Sequence, residues 1–247
     1  AQTIGPRGLF MLSVIVPTKN RRDDLTSLVQ SIEQQTVRPD QLVVVDQSDV
    51  GCEDDIFAIL SKTEVDIIYV HDPKISSLVE AKHVGVSKCN EPLICFLDDD
   101  IILDKDYFEV VIGSFKANPA MVGCSGVIKN QADSSSNFTD FVYGLFFRGI
   151  LRDPRRRIFK ESGGGMVKCN MICGGVSAWR SSVFKDVEFD LKNGFFFLED
   201  IEFSTRVEKY FGSHLYINKD AKVYDRRSQV NRHVPVSYTH LRAHETI

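Results

Sequence analysis

The sequence predicts an α/β fold, a mostly parallel sheet flanked by helices on both faces, and three observations lead there. Short apolar runs at residues 12–16, 42–45, 65–70, 92–97 and 121–127 alternate with helical patterns. The runs are rich in Val, Ile and Leu at consecutive rather than alternate positions, as expected of strands covered on both faces. Polar clusters follow three of them: Lys19-Asn20, Asp46-Gln47 and Asp98-Asp99-Asp100. Ligands of open α/β sheets bind beyond the carboxyl ends of the strands, so these clusters are expected to converge on one crevice. A chain of 247 residues is long enough to bury one such core as a single domain.

Residues 12–16 are apolar and β-branched, and Pro17 is expected to stop this first strand. Asp23 and Asp24 then precede Leu25, Leu28, Val29 and Ile32. That i, i+3, i+4, i+7 spacing makes one apolar helix face with acids in the first turn. The strand at 42–45 ends in Asp46-Gln47-Ser48-Asp49, and residues 54–60 read as a second helix. After the strand at 65–70, Ser77 and Glu80 form a capping-box pattern that opens a helix to about Val86. Residues 92–97 deliver the three aspartates, and a helix at about 105–116 and a strand at 121–127 complete the alternation.

Beyond Val127 the alternation fails. Residues 130–137 are polar and Ser-rich, and Phe138, Phe141, Tyr143, Phe146, Phe147, Arg152 and Arg155-Arg156-Arg157 follow. This stretch reads as a core-packing helix and a solvated basic loop, with a lid or an amphipathic element touching a lipid-linked acceptor as the alternative. Gly163-Gly164-Gly165 reads as a hinge, because no P-loop Lys-Ser/Thr follows it. Gly174-Gly175, within residues 170–179, would let a backbone approach a ligand closely. The apolar run 195–198 then delivers a second acidic pair, Glu199-Asp200, ahead of a helix at 201–210.

Composition excludes some classes of partner. A net charge of −4 gives no global attraction to nucleic acid, so an anionic ligand must be held by local features. The six cysteines lack paired C-x-x-C spacing and sit largely in apolar runs, which suggests reduced thiols used as core residues in a cytosolic protein. No apolar run approaches the roughly 20 residues of a spanning helix, and no secretory signal is visible. The expected location is cytoplasmic, at most peripheral at the inner face of the membrane. Residues 1–10 lack both Met and periodicity, and residues 236–247 resemble translated sequencing-adapter read-through. Both ends, including His240 and His244, are therefore expected to be non-native, with Met11 the initiator and the native C-terminus lost.

Three adjacent carboxylates at the end of a buried strand repel one another unless a cation or hydrogen-bond donors sit among them. Hard oxygen ligands suit Mg²⁺ or Mn²⁺, and such ions take one or two carboxylates together with water and substrate phosphate. A phosphorylated substrate is implied. The bland alternative is an acidic loop after a strand.

Together, Ser13 through Asn20 (Ser-Val-Ile-Val-Pro-Thr-Lys-Asn), Val44-Val45-Asp46, Phe96-Leu97-Asp98-Asp99-Asp100, Gly174-Gly175 and Glu199-Asp200 followed by Arg206 resemble the inverting family 2 glycosyltransferases of the GT-A fold. The fold so implied is nucleotide-diphospho-sugar transferase-like. The resemblance runs from about Leu12 to Tyr224. It implies a UDP-, GDP- or dTDP-sugar donor whose diphosphate is bridged by Mg²⁺ or Mn²⁺, and a glycan or lipid-linked acceptor. On the matching positions, Asp98 and Asp99 would face the nucleoside and Asp100, with Asp98, would hold the metal. Pro17, Thr18, Lys19, Asn20, Asp46 and Gln47 would line the donor site, and Lys82 would approach the donor nucleotide. Asp200 would be the general base and Glu199 would bind acceptor. A donor half at about 11–127 and an acceptor half at about 128–235 would form one domain, serving polysaccharide, lipopolysaccharide or other glycan biosynthesis.

This division of labour is chemically reasonable, because a metal-bound carboxylate is a poor base and one cluster cannot easily serve both roles. Some positions depart from the family pattern. Gln47 stands where a second Asp often reads uracil, Lys19 where an aromatic residue commonly meets the base, and Lys105 where Pro is frequent. No Gln-x-x-Arg-Trp motif follows Arg206, which favours transfer of a single sugar. Two rivals are a sugar-phosphate nucleotidyltransferase and a noncatalytic nucleotide-sugar binding module. The first usually opens with a Gly-rich loop, absent from Pro17-Thr18-Lys19-Asn20; the second would not need Asp200.

Overall fold

A computed structural model describes residues 10–130, 158, 163–192, 199–226 and 228. In chain order the elements are β1 (Leu12–Thr18), α1 (Arg22–Glu33), β2 (Gln41–Asp46), α2 (Glu53–Leu60), β3 (Asp66–His71), α3 (Leu78–Lys88), β4 (Leu93–Leu97), β5 (Ile101–Leu103), α4 (Tyr107–Ala117), β6 (Gly123–Ile128), β7 (Met166–Cys169), β8 (Val176–Arg180), a short α5 (Val183–Asp186), α6 (Glu199–Phe211) and β9 (Leu215–Asp225). Their order across the sheet is β3-β2-β1-β4-β8-β6-β9-β5, with β7 also on β9.

The first four strands are parallel, as the βαβ alternation predicts. Past β4 the sheet becomes mixed. β8 lies antiparallel between β4 and β6, β9 runs parallel to β6, and β5 and β7 run antiparallel to β9. In direction, then, the sheet is mostly parallel, with only β5, β7 and β8 reversed among the described residues.

Strand alternation feeds two core layers. Val14, Val16, Leu42, Val44, Cys95 and Leu97 meet Leu25, Leu28 and Ile32 of α1, Ile56 of α2 and Phe108 and Phe115 of α4. Ile15, Val43, Val45 and Phe96 point the other way, toward Ala81 of α3, Val183 of α5 and Phe203 and Val207 of α6. Gly85 of α3 has no Cβ to spare, since one would lie 2.4 Å from Ile15, so α3 rests directly on β1. The α3 start agrees in part with the capping-box expectation. Ser77 Oγ accepts the Glu80 N–H at 3.1 Å, but Glu80 reaches back to Ser76 rather than to Ser77.

Several boundaries differ from expectation. Pro17 does not end β1, which continues to Thr18; pairing with β4 stops at Ile15, so only β2 flanks Pro17 and a missing N–H is tolerated there. Glu199-Asp200 belong to the first turn of α6, and the apolar run expected to deliver them lies outside the described residues. So do the aromatic stretch and the arginines of 152–157. All six cysteines are free thiols, four of them buried. No described helix is long and apolar enough to cross a membrane.

Candidate functional site

The crevice is built at the carboxyl ends of β1, β2 and β4. Asn20, just beyond β1, has φ 56°, a left-handed conformation that Asn tolerates better than most residues. Its backbone N–H donates to Ser48 Oγ at 2.7 Å and its side-chain oxygen accepts the Asp49 N–H at 3.1 Å, tying together the loops after β1 and β2. Between them opens a cleft of about 250 Å³ lined by Thr18, Asn20, Arg22, Ser48, Val50, Gly51 and Cys52. Lys19 is exposed at its margin, whereas Pro17 and Gln47 are buried.

Asp46, one of the expected donor-site residues, is engaged inside the protein. It is fully buried, its Oδ1 accepts the Ser48 N–H at 2.8 Å, and its Oδ2 accepts a short hydrogen bond from the Tyr69 hydroxyl. Desolvation first, and then the bond to Asp46, hold the Tyr69 phenol far above its ordinary pKa, so it stays a donor.

The three aspartates after β4 have distinct surroundings. Asp98 donates its backbone N–H to Gly175 O at 2.9 Å, and a Cβ on Gly175 would fall 1.9 Å from the Asp98 carboxylate. Gly174-Gly175 was expected to bring a backbone close to a ligand; in the structure the group that this backbone approaches is the Asp98 carboxylate. Water reaches this residue, yet the crowding walls desolvate its carboxylate and push its pKa up to about 7. The Lys82 ammonium pulls the other way, and Asp100, Asp99 and Glu199 add to the rise.

Asp99 accepts from Thr18 Oγ1 at 2.7 Å and from Arg21 Nη1 at 2.9 Å. Both partners of the Asp99–Arg21 pair are shifted upward. For the deeper Asp99, desolvation outweighs Thr18 and Arg21, whereas for Arg21 desolvation is the largest single influence but Asp99, Asp100 and Asp24 together outweigh it. Asp100 is 8 % exposed; its carboxylate accepts the Ser228 N–H at 3.2 Å, and its backbone oxygen accepts the Arg226 N–H at 2.8 Å.

The facing wall holds the second acidic pair. Glu199 Oε1 lies 2.5 Å from Lys82 Nζ, which also donates to Gly174 O at 3.3 Å and sits 5.6 Å from the Phe96 ring centre. Lys82 was expected to approach the donor; here its ammonium is turned to Glu199. Asp200 Oδ1 accepts the Ile201 N–H at 2.8 Å. A Cβ on Gly174 would meet Glu199 Oε1 at 2.8 Å, Asp200 Cβ at 3.0 Å and Lys82 Nζ at 3.1 Å. The two clusters expected from the sequence therefore meet across one glycine pair.

No group of three or more His, Cys, Asp or Glu side chains among the described residues forms a ready cage for an ion. A Mg²⁺ or Mn²⁺ that draws most of its ligands from water and substrate phosphate needs no such cage. Asp98, open to water with a raised pKa beside Asp100, is the kind of carboxylate that a cation would return to its charged form. The donor set fits a divalent ion held by Asp98 and Asp100. Sequence reasoning missed Arg21, Tyr69 and Ser228. Arg21-Arg22 directly after Asn20 was a visible basic signal; the partners of Tyr69 and Ser228 are distant in the chain and leave none.

A sequence profile described as Glycosyl transferase family 2 matches residues 13–187. A glycosyltransferase of Haemophilus influenzae described as uncharacterized is 26% identical over 109 residues, covering 44% of this chain and 36% of its own. The glycosyltransferase GlyG of Streptococcus pneumoniae is 24% identical over 137 residues, 56% of this chain and 45% of its own. The chain thus spans less than half the length of either relative. Among solved structures, S. aureus TarS superimposes with a TM-score of 0.63 at 16% identity, over 87% of this chain and 36% of that one. The mannosyltransferase PcManGT of Pyrobaculum calidifontis, in complex with GDP-Man and Mn²⁺, gives 0.64 at 15% identity, over 89% and 58%. These structures share the GT-A fold, and the profile spans most of the chain, including β1, β2, β4 and the aspartates: the chain belongs to glycosyl transferase family 2.

Proposed function

We propose that this glycosyltransferase moves a sugar from a nucleotide-diphosphate donor to an acceptor hydroxyl with inversion at the anomeric carbon, in a metal-dependent reaction. The observation that carries this reading is the meeting of Asp98 with Glu199 and Asp200 across Gly174-Gly175. The fold neighbours in complex with GDP-Man and Mn²⁺ and with UDP support a donor of this class. The cleft lined by Thr18, Asn20 and Ser48 would take the nucleoside, leading the diphosphate toward Asp98 and Asp100. A divalent ion held there would neutralise charge on the leaving diphosphate. Asp200 accepts the proton of the acceptor hydroxyl as its oxygen bonds to the anomeric carbon. On the opposite face, the bond from that carbon to the diphosphate oxygen breaks and the electron pair leaves with the nucleoside diphosphate.

The reading includes one domain with a donor half and an acceptor half, a glycan or lipid-linked acceptor, a role in glycan biosynthesis, and a cytoplasmic location. The experiment is a panel of UDP-, GDP- and dTDP-sugars assayed for the released nucleotide, with Mn²⁺ or with EDTA. Nucleoside diphosphate released only with metal is the expected product; pyrophosphate would replace the reading by nucleotidyl transfer. Asp200→Asn should lower kcat on the order of 10²–10⁴-fold while nucleotide binding persists. Parental turnover by that variant would remove Asp200 from the base role.

A further inference from the structure

Lys82 lies between the two acidic clusters. Its side chain is 3% exposed and its ammonium is 2.5 Å from Glu199, and the charges of Asp98 and Asp200 act on it as well. Burial alone would strip such a group of its proton, but the carboxylates outweigh burial and raise its pKa. Lys82 comes from α3, which Gly85 seats directly on Ile15 at the centre of the sheet. Glu199 opens α6, and Asp200 is the next residue of the same turn. Gly174, without a Cβ, lets all three side chains close up around its backbone.

We infer that Lys82 is a positioning residue for the proposed base: by clamping Glu199 it fixes the first turn of α6, and with it the Asp200 carboxylate, to the rigid centre of the sheet. The inference rests on the proposed role of Asp200. It also gives Glu199 a role of its own. With its Oε1 held by the buried ammonium, Glu199 keeps position while its neighbour, bonded to the Ile201 N–H, takes the acceptor proton. A lysine that served the donor phosphates instead would have to leave Glu199 as an uncompensated carboxylate in a crevice already crowded with negative charge.

The test compares Lys82→Met, Lys82→Arg, Glu199→Gln and the Lys82→Met/Glu199→Gln pair, using the nucleotide sugar whose turnover the panel establishes. Calorimetry with the corresponding nucleoside diphosphate and Mn²⁺ gives affinity, and steady-state kinetics give kcat. Lys82→Met should leave affinity within about threefold and lower kcat by about tenfold or more. The double variant should turn over no more slowly than Lys82→Met and melt at a higher temperature, because the stranded carboxylate is gone. Lys82→Arg, which keeps the charge, should retain more turnover than Lys82→Met. Affinity lost about tenfold with kcat preserved, or losses in the two single variants that multiply in the double, would overturn the clamp. Should Lys82→Met fail to fold, Glu199→Gln decides: reduced kcat at unchanged affinity supports the clamp and parental kcat removes it. Parental turnover by Asp200→Asn would instead show that the base assignment had failed.

Discussion

At Gly175 there is no room for even one methyl group. A Cβ there would fall 1.9 Å from the Asp98 carboxylate, far inside contact distance, and the strand that follows leaves the backbone little freedom to retreat. Gly175→Ala should therefore displace Asp98 and weaken Mn²⁺-dependent nucleotide binding by about tenfold or more, measurable by calorimetry. Asp100→Asn tests the metal from the other side. It keeps the shape and the acceptor for the Ser228 N–H while removing a charge, so nucleotide affinity should fall and lose most of its dependence on added Mn²⁺. Unchanged metal dependence would move the ion elsewhere. These residues differ in how legible they were. Asp98, Asp99 and Asp100 are contiguous and follow a strand, so their placement could be read directly. The roles of Asp99 and Lys82 depend on Arg21 and Glu199, which are 78 and 117 residues away, and no local pattern announces such partnerships.

Elements were legible where period and neighbours agree. α1, with Leu25, Leu28, Val29 and Ile32 buried along one face, and β1, β2 and β4, buried at every position, match the pattern that predicted them. β5 has only three residues, and β9 carries Asn218, Lys219, Asp220 and Lys222 among its apolar positions, so neither shows a clean run. The insertion of β8 between β4 and β6 was also hidden. It depends on Gly123 of β6, whose Cβ would lie 2.7 Å from the Trp179 ring of β8. Gly123→Ala should force Trp179 aside and destabilise the fold by about 1–3 kcal/mol, read as a lowered midpoint in urea. A midpoint equal to the parent would show that Trp179 shifts freely. Ser77→Ala, which removes the oxygen capping α3, should cost about 1 kcal/mol. Its effect on kcat should exceed that of equally destabilising changes on the opposite face, because α3 carries Lys82.

Across the whole molecule, two apolar layers cover the sheet, while one end of it gathers polar groups from both halves of the chain. A ligand that joins those halves stabilises the folded state by mass action, about 2.7 kcal/mol at a hundredfold excess over its dissociation constant. Nucleoside diphosphate with Mn²⁺ should raise the melting temperature more than either alone, and equal shifts would separate the metal from the nucleotide. The sheet also has a direction in time. β6 pairs only with β8 and β9, and β5 and β7 pair only with β9, among the described residues. During synthesis β1 to β4 can assemble as they emerge, but β5 and β6 must wait with open edges until β9 leaves the ribosome. β9 is thus the keystone of the second half. A chain halted before Leu215 would hold three strands without their common partner, and quality control would meet it as exposed sheet edge.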